Sequence, residues 1–306
     1  MTPLLSHAGI APVLALLLNA FIWGISWWPL RQLHSMGIHP LWATAFIYAL
    51  AAILIWLWRR QVLKQVAGTP LLWWVLIASG ITNAAFNWAV SMGDVVRVVL
   101  LFYLMPLWSL LLARLLLSEP MTAGTGLRAL LSVTGAACVV ADPASSTGHT
   151  AAAHSMLADS LAVLSGFACA LNAAMLRRGA ALPGEDKAMA MFLGSVTVAG
   201  SSAALFSSEL LGATAGVAWP SFSSEWVAPI FGLALVFLMS NLCLQYAVAR
   251  LKASVTAVVM PCEVVFAAIT AIWWGGATLH MGVAVGGMLI LFSVLASVQN
   301  QSLRRD

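Results

Sequence analysis

Residues 70–117 read PLLWWVLIASGITNAAFNWAVSMGDVVRVVLLFYLMPLWSLLLARLLL and carry three charged side chains, Asp94, Arg97 and Arg114. A bilayer core takes about 20 apolar residues per helix. The stretch holds two such runs, 70–91 and 95–117, hinged at Gly93-Asp94. The same texture extends through the whole chain of 306 residues, which is 62% hydrophobic and 8% charged, where a soluble domain is roughly 25% charged. Fourteen basic and ten acidic side chains are too few to cover a water-facing fold of this length. A soluble fold is excluded, and the solvent is lipid.

Working outward gives ten spans, at 10–30, 40–58, 70–91, 95–117, 123–141, 157–177, 188–207, 227–248, 253–274 and 281–299. An even number puts both termini on one side, and basic loops stay cytoplasmic. With the N-terminus inside, Arg59, Arg60, Lys64, Arg114, Arg128, Arg177, Arg178, Lys187, Arg250, Lys252, Arg304 and Arg305 fall at cytoplasmic ends, while only Arg31 and Arg97 fall outside. The first run has no basic residues before it and is too long for a signal-peptide core, so it reads as a retained span. The stretches 142–154 and 208–225 hold no Lys or Arg and read as external loops. Trp27/Trp28, Trp73/Trp74 and Trp273/Trp274 lie near span ends, where indoles form interfacial belts; Trp23 and Trp88 lie deeper.

Several chemistries drop out. Cys138, Cys169, Cys243 and Cys262 stand alone in apolar runs, which offers neither a disulfide framework nor a CxxC pair. The absence of GxxxxGK[ST] excludes ATP hydrolysis by this chain. The six histidines fall in loops or termini with no HExxH, and no GxSxG is present. Asp94, Asp142, Asp159 and Asp186 show no convergent spacing, which argues against a surface enzyme. A net charge of +4 without a basic run argues against nucleic acid. No cofactor or metal is expected, and the partners implied are a small solute and the bilayer.

At a shift of 158 residues NWAV (87–90) overlies QYAV (245–248), Asn83 overlies Asn241, and Gly124 overlies Gly282. Earlier in each half a shift of 146 pairs Phe21 with Phe167, Ser26 with Asn172 and Arg31 with Arg177. Five spans is an odd number, so the second unit enters the membrane inverted, the plan of many secondary transporters. The expected fold is therefore an all-α integral membrane protein of two inverted five-helix repeats, 1–142 and 155–306, related by a pseudo-two-fold axis.

Polar side chains deep in a span face a packed interior or a watery cavity. Asn83 and Asn87 share one face of the third span, and Asn241 and Gln245 one face of the eighth, so the two amide pairs are expected to face each other. Asn19 and Ser26 on the first span are matched by Ser165 and Asn172 on the sixth. These amides, with Trp23, Phe86, Trp88, Tyr103, Phe237 and Tyr246 around them, form the expected substrate chamber. Neutral amides both donate and accept, which suits a zwitterion, and aromatic faces accept apolar groups and cations. The competing reading of each amide is interhelical glue. Glu263, at the middle of the 253–274 span, is read as a proton-coupling site, an anchor for a substrate ammonium, or a structural acceptor. Pro106 and Pro261 each remove a helical hydrogen bond and mark candidate hinges. Arg114 is read as pairing with Glu119. Gly282 and Gly286 form a GxxxG that either packs the fifth span on the tenth or joins two chains; a monomer and a weak homodimer both stay open.

Trp23-Gly24, the Ala89-Val90 that follows Trp88, Pro106, Glu119-Pro120 and Cys262-Glu263-Val264 together resemble the two EamA modules of the drug/metabolite transporter superfamily, and the tryptophan-rich pattern is most similar to the YddG aromatic amino-acid exporters. Two positions depart from that pattern: Val264 stands where the second module usually has proline, and Ala277 stands where a glutamate would match Glu119. The resemblance implies a secondary transporter in the bacterial inner (cytoplasmic) membrane that exports aromatic and other neutral amino acids by alternating access. Drug or nucleotide-sugar carriage is the nearest alternative, the latter disfavoured by the lack of basic residues for phosphate. A nontransporting membrane protein is the alternative from another class.

Overall fold

The computed structural model describes residues 10–117, 123–141, 149–207, 217–221, 223–248, 250–251, 255, 259–275 and 280–302. All regular structure among them is helical. In chain order the helices are α1 (Ile10–Ile25), α2 (Trp27–Ser35), α3 (Pro40–Trp58), α4 (Val62–Gly68), α5 (Pro70–Met92), α6 (Val95–Phe102), α7 (Met105–Leu117), α8 (Ala123–Ala141), α9 (His149–Arg178), α10 (Gly184–Ser207), α11 (Val227–Val248), α12 (Cys262–Gly275) and α13 (Met281–Ser302). Among the described residues six segments are long and apolar enough to cross a membrane: Ile10–Ser35, α3, α5, Met156–Arg178, α10 and Ser224–Val248. Shorter apolar helices occupy Val95–Ser109, Leu130–Val139, α12 and Met281–Ser293.

The apolar runs end where helix chemistry ends them. Pro40 and Pro70 open α3 and α5, at the one turn where a missing N–H costs nothing. His39 caps α3 through Nδ1, which accepts from Leu41 N at 3.2 Å. Asp94 caps α6 by accepting from Arg97 N at 2.8 Å.

Four expectations are corrected. The first span is not one helix to residue 30: it turns at Ser26, whose hydroxyl donates to the Trp23 carbonyl, and continues as α2 to Ser35. The 95–117 and 253–274 runs are each interrupted, at Tyr103–Leu104 and at Met260–Pro261, so Glu263 sits in the first turn of α12 and not at mid-helix. The prolines therefore stand at helix starts, Pro106 as the second residue of α7 and Pro261 just before α12, where they avoid the internal clash of a kink. The expected loop 142–154 is helical from His149 onward; 142–148 lies outside the described residues. Between the second and third runs, residues 62–68 form the short helix α4.

Of the tryptophan pairs, Trp73, Trp74, Trp273, Trp274 and Trp28 are exposed as belt residues are. Trp27 is instead buried and donates its indole N–H to Thr270 Oγ1 at 3.0 Å, tying α2 to α12.

α5 packs on α9 and α10, α11 packs on α1 and α3, α6 and α7 lie against α9, and α12 lies against α1; α3 meets α10, and α8 meets α13. The GxxxG lies at the α8–α13 contact: a Cβ on Gly286 would meet the Gly135 carbonyl oxygen, and Ser132 and Ser293 share a 2.6 Å hydrogen bond beside it. Gly286 serves close helix approach within one chain.

At the α5–α10 crossing a Cβ on Gly194 would fall 1.9 Å from the Leu76 carbonyl oxygen. Gly194→Ala should push the helices apart at a cost of about 1–3 kcal/mol and lower the unfolding temperature in detergent, whereas Gly232→Ala, with nothing within 4 Å, should not. Burial, and secondarily His34, pulls the His39 imidazole down to about 4, so the unfolded chain takes a proton near the ordinary 6.5 that the folded one refuses. Thermal stability should therefore fall as pH drops from about 6.5 toward 4, and His39→Asn, which keeps a cap, should flatten that dependence.

Candidate functional site: a joint between two broken helices

The breaks after α6 and before α12 lie about one repeat shift apart in sequence, and the fold brings them together. Non-helical backbone at membrane depth leaves carbonyls without their helical partners, and such backbone is tolerated only where protein or cavity supplies replacements. Tyr103, at the first break, donates its hydroxyl to the Met260 carbonyl at 2.9 Å, and the same oxygen lies 3.1 Å from Glu263 Oε2. Tyr103 and Glu263 are both buried. One phenolic hydrogen thus serves two acceptors on the opposite half of the chain.

Glycines let neighbouring helices reach both breaks. A Cβ on Gly24 of α1 would come 2.8 Å from the Glu263 carbonyl oxygen, and one on Gly166 of α9 would come 2.6 Å from that of Phe102. Gly24 is half of the Trp23-Gly24 pair singled out in the sequence, and its role here is to admit the α12 backbone.

A continuous line of aromatic rings runs from the joint across the interior. Phe102 lies 5.8 Å from Tyr103 and 5.0 Å from Phe86. Phe86 meets Trp23 at 6.3 Å, and Trp23 stacks on Phe237 at 5.1 Å and 14°. Tyr48 then links Phe237 to Phe192, at 5.7 and 5.6 Å. Offset and edge contacts of this kind add about 0.5–1.5 kcal/mol each beyond area burial. They join α6, α5, α1, α11, α3 and α10. Trp88 stands apart, between His39 and Phe206, and Tyr246 is exposed beneath the Arg250 guanidinium.

The amides are placed differently from the sequence expectation. Asn83 accepts from Tyr48 Oη at 2.9 Å and donates to Ser195 Oγ at 2.9 Å and to the Ser79 carbonyl, so it bridges α3, α5 and α10. Asn87 donates to Thr44 Oγ1 at 3.1 Å. Asn241 and Gln245 bond to each other at 2.6 Å, with Gln245 Oε1 close over Gly184 at the start of α10. Among the described residues no hydrogen bond joins one amide pair to the other, and each pair bonds to a nearer partner. Asn19 donates to the Ser240 hydroxyl and carbonyl at 2.7 and 3.1 Å, linking α1 to α11 one residue before Asn241. Ser165 bonds within its own helix. Asn87 Oδ1 and Asn172 Oδ1, like Asp186 Oδ1, are buried with no hydrogen-bond partner, acceptors that call for an explanation.

Sequence reading missed Tyr48, Ser195, Thr44 and Phe192, because hydroxyls and rings on other helices carry no spacing signal. It also missed a charged cluster at the α6 start. Arg97 pairs with Asp159 of α9 at 2.6 Å, Asp94 caps the same helix, and Arg31 donates to the carbonyls of Val90 and Gly93. Asp94 and Asp159 therefore do converge, around an arginine. At the other end Arg59 pairs with Glu185 at 2.7 Å. Glu119 and Asp142 lie outside the described residues.

Residues 10–141 match the EamA-like transporter family, within the drug/metabolite transporter superfamily. No curated protein matches the chain. A solved structure titled "Crystal structure of protein" is similar to it with a TM-score of 0.58 and 17% identity over 98% of each chain, a likeness of fold alone. The chain is thus a helical membrane protein whose residues 10–141 are similar to the EamA-like transporter family.

Removing the Tyr103 hydroxyl takes the donor from Glu263 Oε2, which costs about 1–3 kcal/mol for a buried acceptor, while the Met260 carbonyl keeps the Glu263 N–H. Tyr103→Phe should lower the unfolding temperature in detergent, and an unchanged temperature would show that the joint is not held by this bond.

Proposed function

We propose that this protein, with its transporter-family domain, is a secondary transporter that exports aromatic and other neutral amino acids by alternating access between two inverted five-helix units of a ten-span fold. One observation carries the reading: two interrupted helices from opposite halves meet at their breaks, joined by Tyr103, Met260 and Glu263. Discontinuous helices that meet in this way are how inverted-repeat transporters place backbone dipoles and ionisable groups at a solute site. The packing supports the symmetry. Exchanging the halves turns the α5–α9 contact into α11–α1, α5–α10 into α11–α3 and α6/α7–α9 into α12–α1, while α3–α10 and α8–α13 map onto themselves.

In this reading the Arg59 end is cytoplasmic, as the distribution of basic residues requires, and both termini lie there, in a bacterial inner membrane. Trp23 and Phe237 receive the side chain of the solute, Asn87 and Asn172 offer unpaired acceptors to its ammonium, and Asn19, Asn83, Asn241 and Gln245 hold the surrounding helices in register. Glu263 is the coupling or ammonium site. Protonating it supplies a second donor to the joint, so that Tyr103 no longer divides one hydrogen between two acceptors. The breaks beside Pro106 and Pro261 take up the rocking of the halves. The aromatic line with its single carboxylate also suits an organic cation, which keeps a multidrug exporter as the second reading.

Counterflow of radiolabelled L-phenylalanine in proteoliposomes tests the proposal, with a quaternary amine as competitor. Trp23→Ala and Asn87→Ala should each reduce amino-acid flux by roughly tenfold, the loss of about 1.4 kcal/mol, in protein that still runs as a folded species. Normal flux in both would remove these residues from the site. Glu263→Gln should abolish the response to an imposed pH gradient; an unaltered response would leave a uniporter.

A further inference from the structure

Arg31 is one of two basic residues that break the charge asymmetry of the chain, and the transport reading gives it no task. It lines a cavity of about 450 Å³ together with Ser91, Met92, Gly93, Asp94, Val95, Ala271 and Gly275. The cavity sits where α2, the α5–α6 turn and the end of α12 converge, away from the Tyr103 joint. We infer that it is a second solute site, a vestibule on the external side that holds a zwitterionic amino acid by its two charged groups, Arg31 taking the carboxylate and Asp94 the ammonium. This inference rests on the proposed amino-acid transport.

The chemistry of the lining argues for a zwitterion over a simple anion or cation. Two of Arg31's N–H groups donate to the Val90 and Gly93 carbonyls, which fixes the guanidinium plane. A guanidinium has five such donors and stays charged at any accessible pH, so three remain for a carboxylate. Its other face lies over the Trp27 ring, 5.1 Å from the centroid, and Trp27 is itself held by Thr270. The cation is thus oriented from two sides before any solute arrives.

Asp94 spends one oxygen on the Arg97 amide, while the Arg97 guanidinium is held by Asp159. Asp94 is exposed, and its second carboxylate oxygen is available to an ammonium. Opposite charges on one cavity wall match a molecule carrying both signs and repel neither end of it. Met92, Val95 and Ala271 add an apolar surface, and the volume falls within the range of about 300–1,000 Å³ typical of small-molecule sites.

The purely structural account, in which Arg31 only caps the α5 C-terminus and Asp94 only caps α6, predicts no ligand dependence at all. The test is labelling of full-length Met92→Cys protein in proteoliposomes by a charged, membrane-impermeant maleimide, read at residue 92 by peptide mass spectrometry. The protectants are L-phenylalanine, phenethylamine and 3-phenylpropionate. L-phenylalanine should slow labelling. Adding Arg31→Gln should raise the half-protecting concentration of L-phenylalanine and 3-phenylpropionate by roughly tenfold or more while leaving phenethylamine unchanged. Adding Asp94→Asn, which keeps the α6 cap, should do the reverse, weakening L-phenylalanine and phenethylamine only. Absence of protection in Met92→Cys protein that still carries out L-phenylalanine counterflow, or loss of all three protectants alike in either variant, would overturn the vestibule and leave the transport reading standing. Absence of L-phenylalanine counterflow in the unaltered protein would overturn the transport reading and the vestibule with it.

Discussion

A helix broken inside a membrane must find partners for its freed carbonyls from within the protein, and in this chain a side chain at one break reaches across to the other. The Tyr103 hydroxyl reaches the Met260 carbonyl and Glu263, so the second break takes a donor from the opposite half beside its own Glu263 N–H. The remaining architecture is arranged around that need. Gly24 and Gly166 bring α1 and α9 against the two breaks, and the aromatic line from Phe102 to Phe192 fills the space between the halves with large, weakly directional contacts. Rings can slide and restack at small cost, whereas the hydrogen-bonded joint either holds or does not.

Polar interactions elsewhere are local and strong. Asn83 fastens three helices at once, Arg97 and Asp159 pin α6 to α9 at one end, and Arg59 and Glu185 join α3 to α10 at the other. The partly buried Arg97–Asp159 pair is bidentate, a geometry with more directional strength than the exposed Arg59–Glu185 contact. The Arg31 end is therefore the more firmly tied of the two, and the looser Arg59 pair is the easier to open.

Much of the architecture was legible in the chain. Each long helix follows an apolar run bounded by Pro, Gly or a charge, because lipid enforces helix over any stretch of that length. The helix interruptions were not legible: Tyr103-Leu104 contains no breaker, and the nearby Pro106 and Pro261 read as kinks inside continuous helices when they in fact stand at helix starts. Ser26 turns α1 through a hydrogen bond to its own backbone, a competition that composition does not reveal. Of the residues singled out in the sequence, Tyr103 and Glu263 meet at the joint and Trp23 stacks on Phe237, while the partners of Asn83 and Asn87 were not legible, since Tyr48, Thr44 and Ser195 lie on other helices at arbitrary sequence distance. Asp94 and Asp159 looked unrelated for the same reason. Equal spacing placed Asn241 and Gln245 on one helix face, and that same spacing let them satisfy each other.

The central claim is that the Tyr103–Glu263 joint works as a unit during transport. A double-mutant cycle addresses it directly, with Tyr103→Phe, Glu263→Gln and the pair compared by initial rate of L-phenylalanine counterflow at fixed protein density. The account predicts strong non-additivity, the double variant being scarcely slower than the more impaired single variant, because either change already opens the joint. Strictly additive losses, or full flux in the double variant, would mean that the two residues act separately and that the meeting of the broken helices is not where transport is controlled.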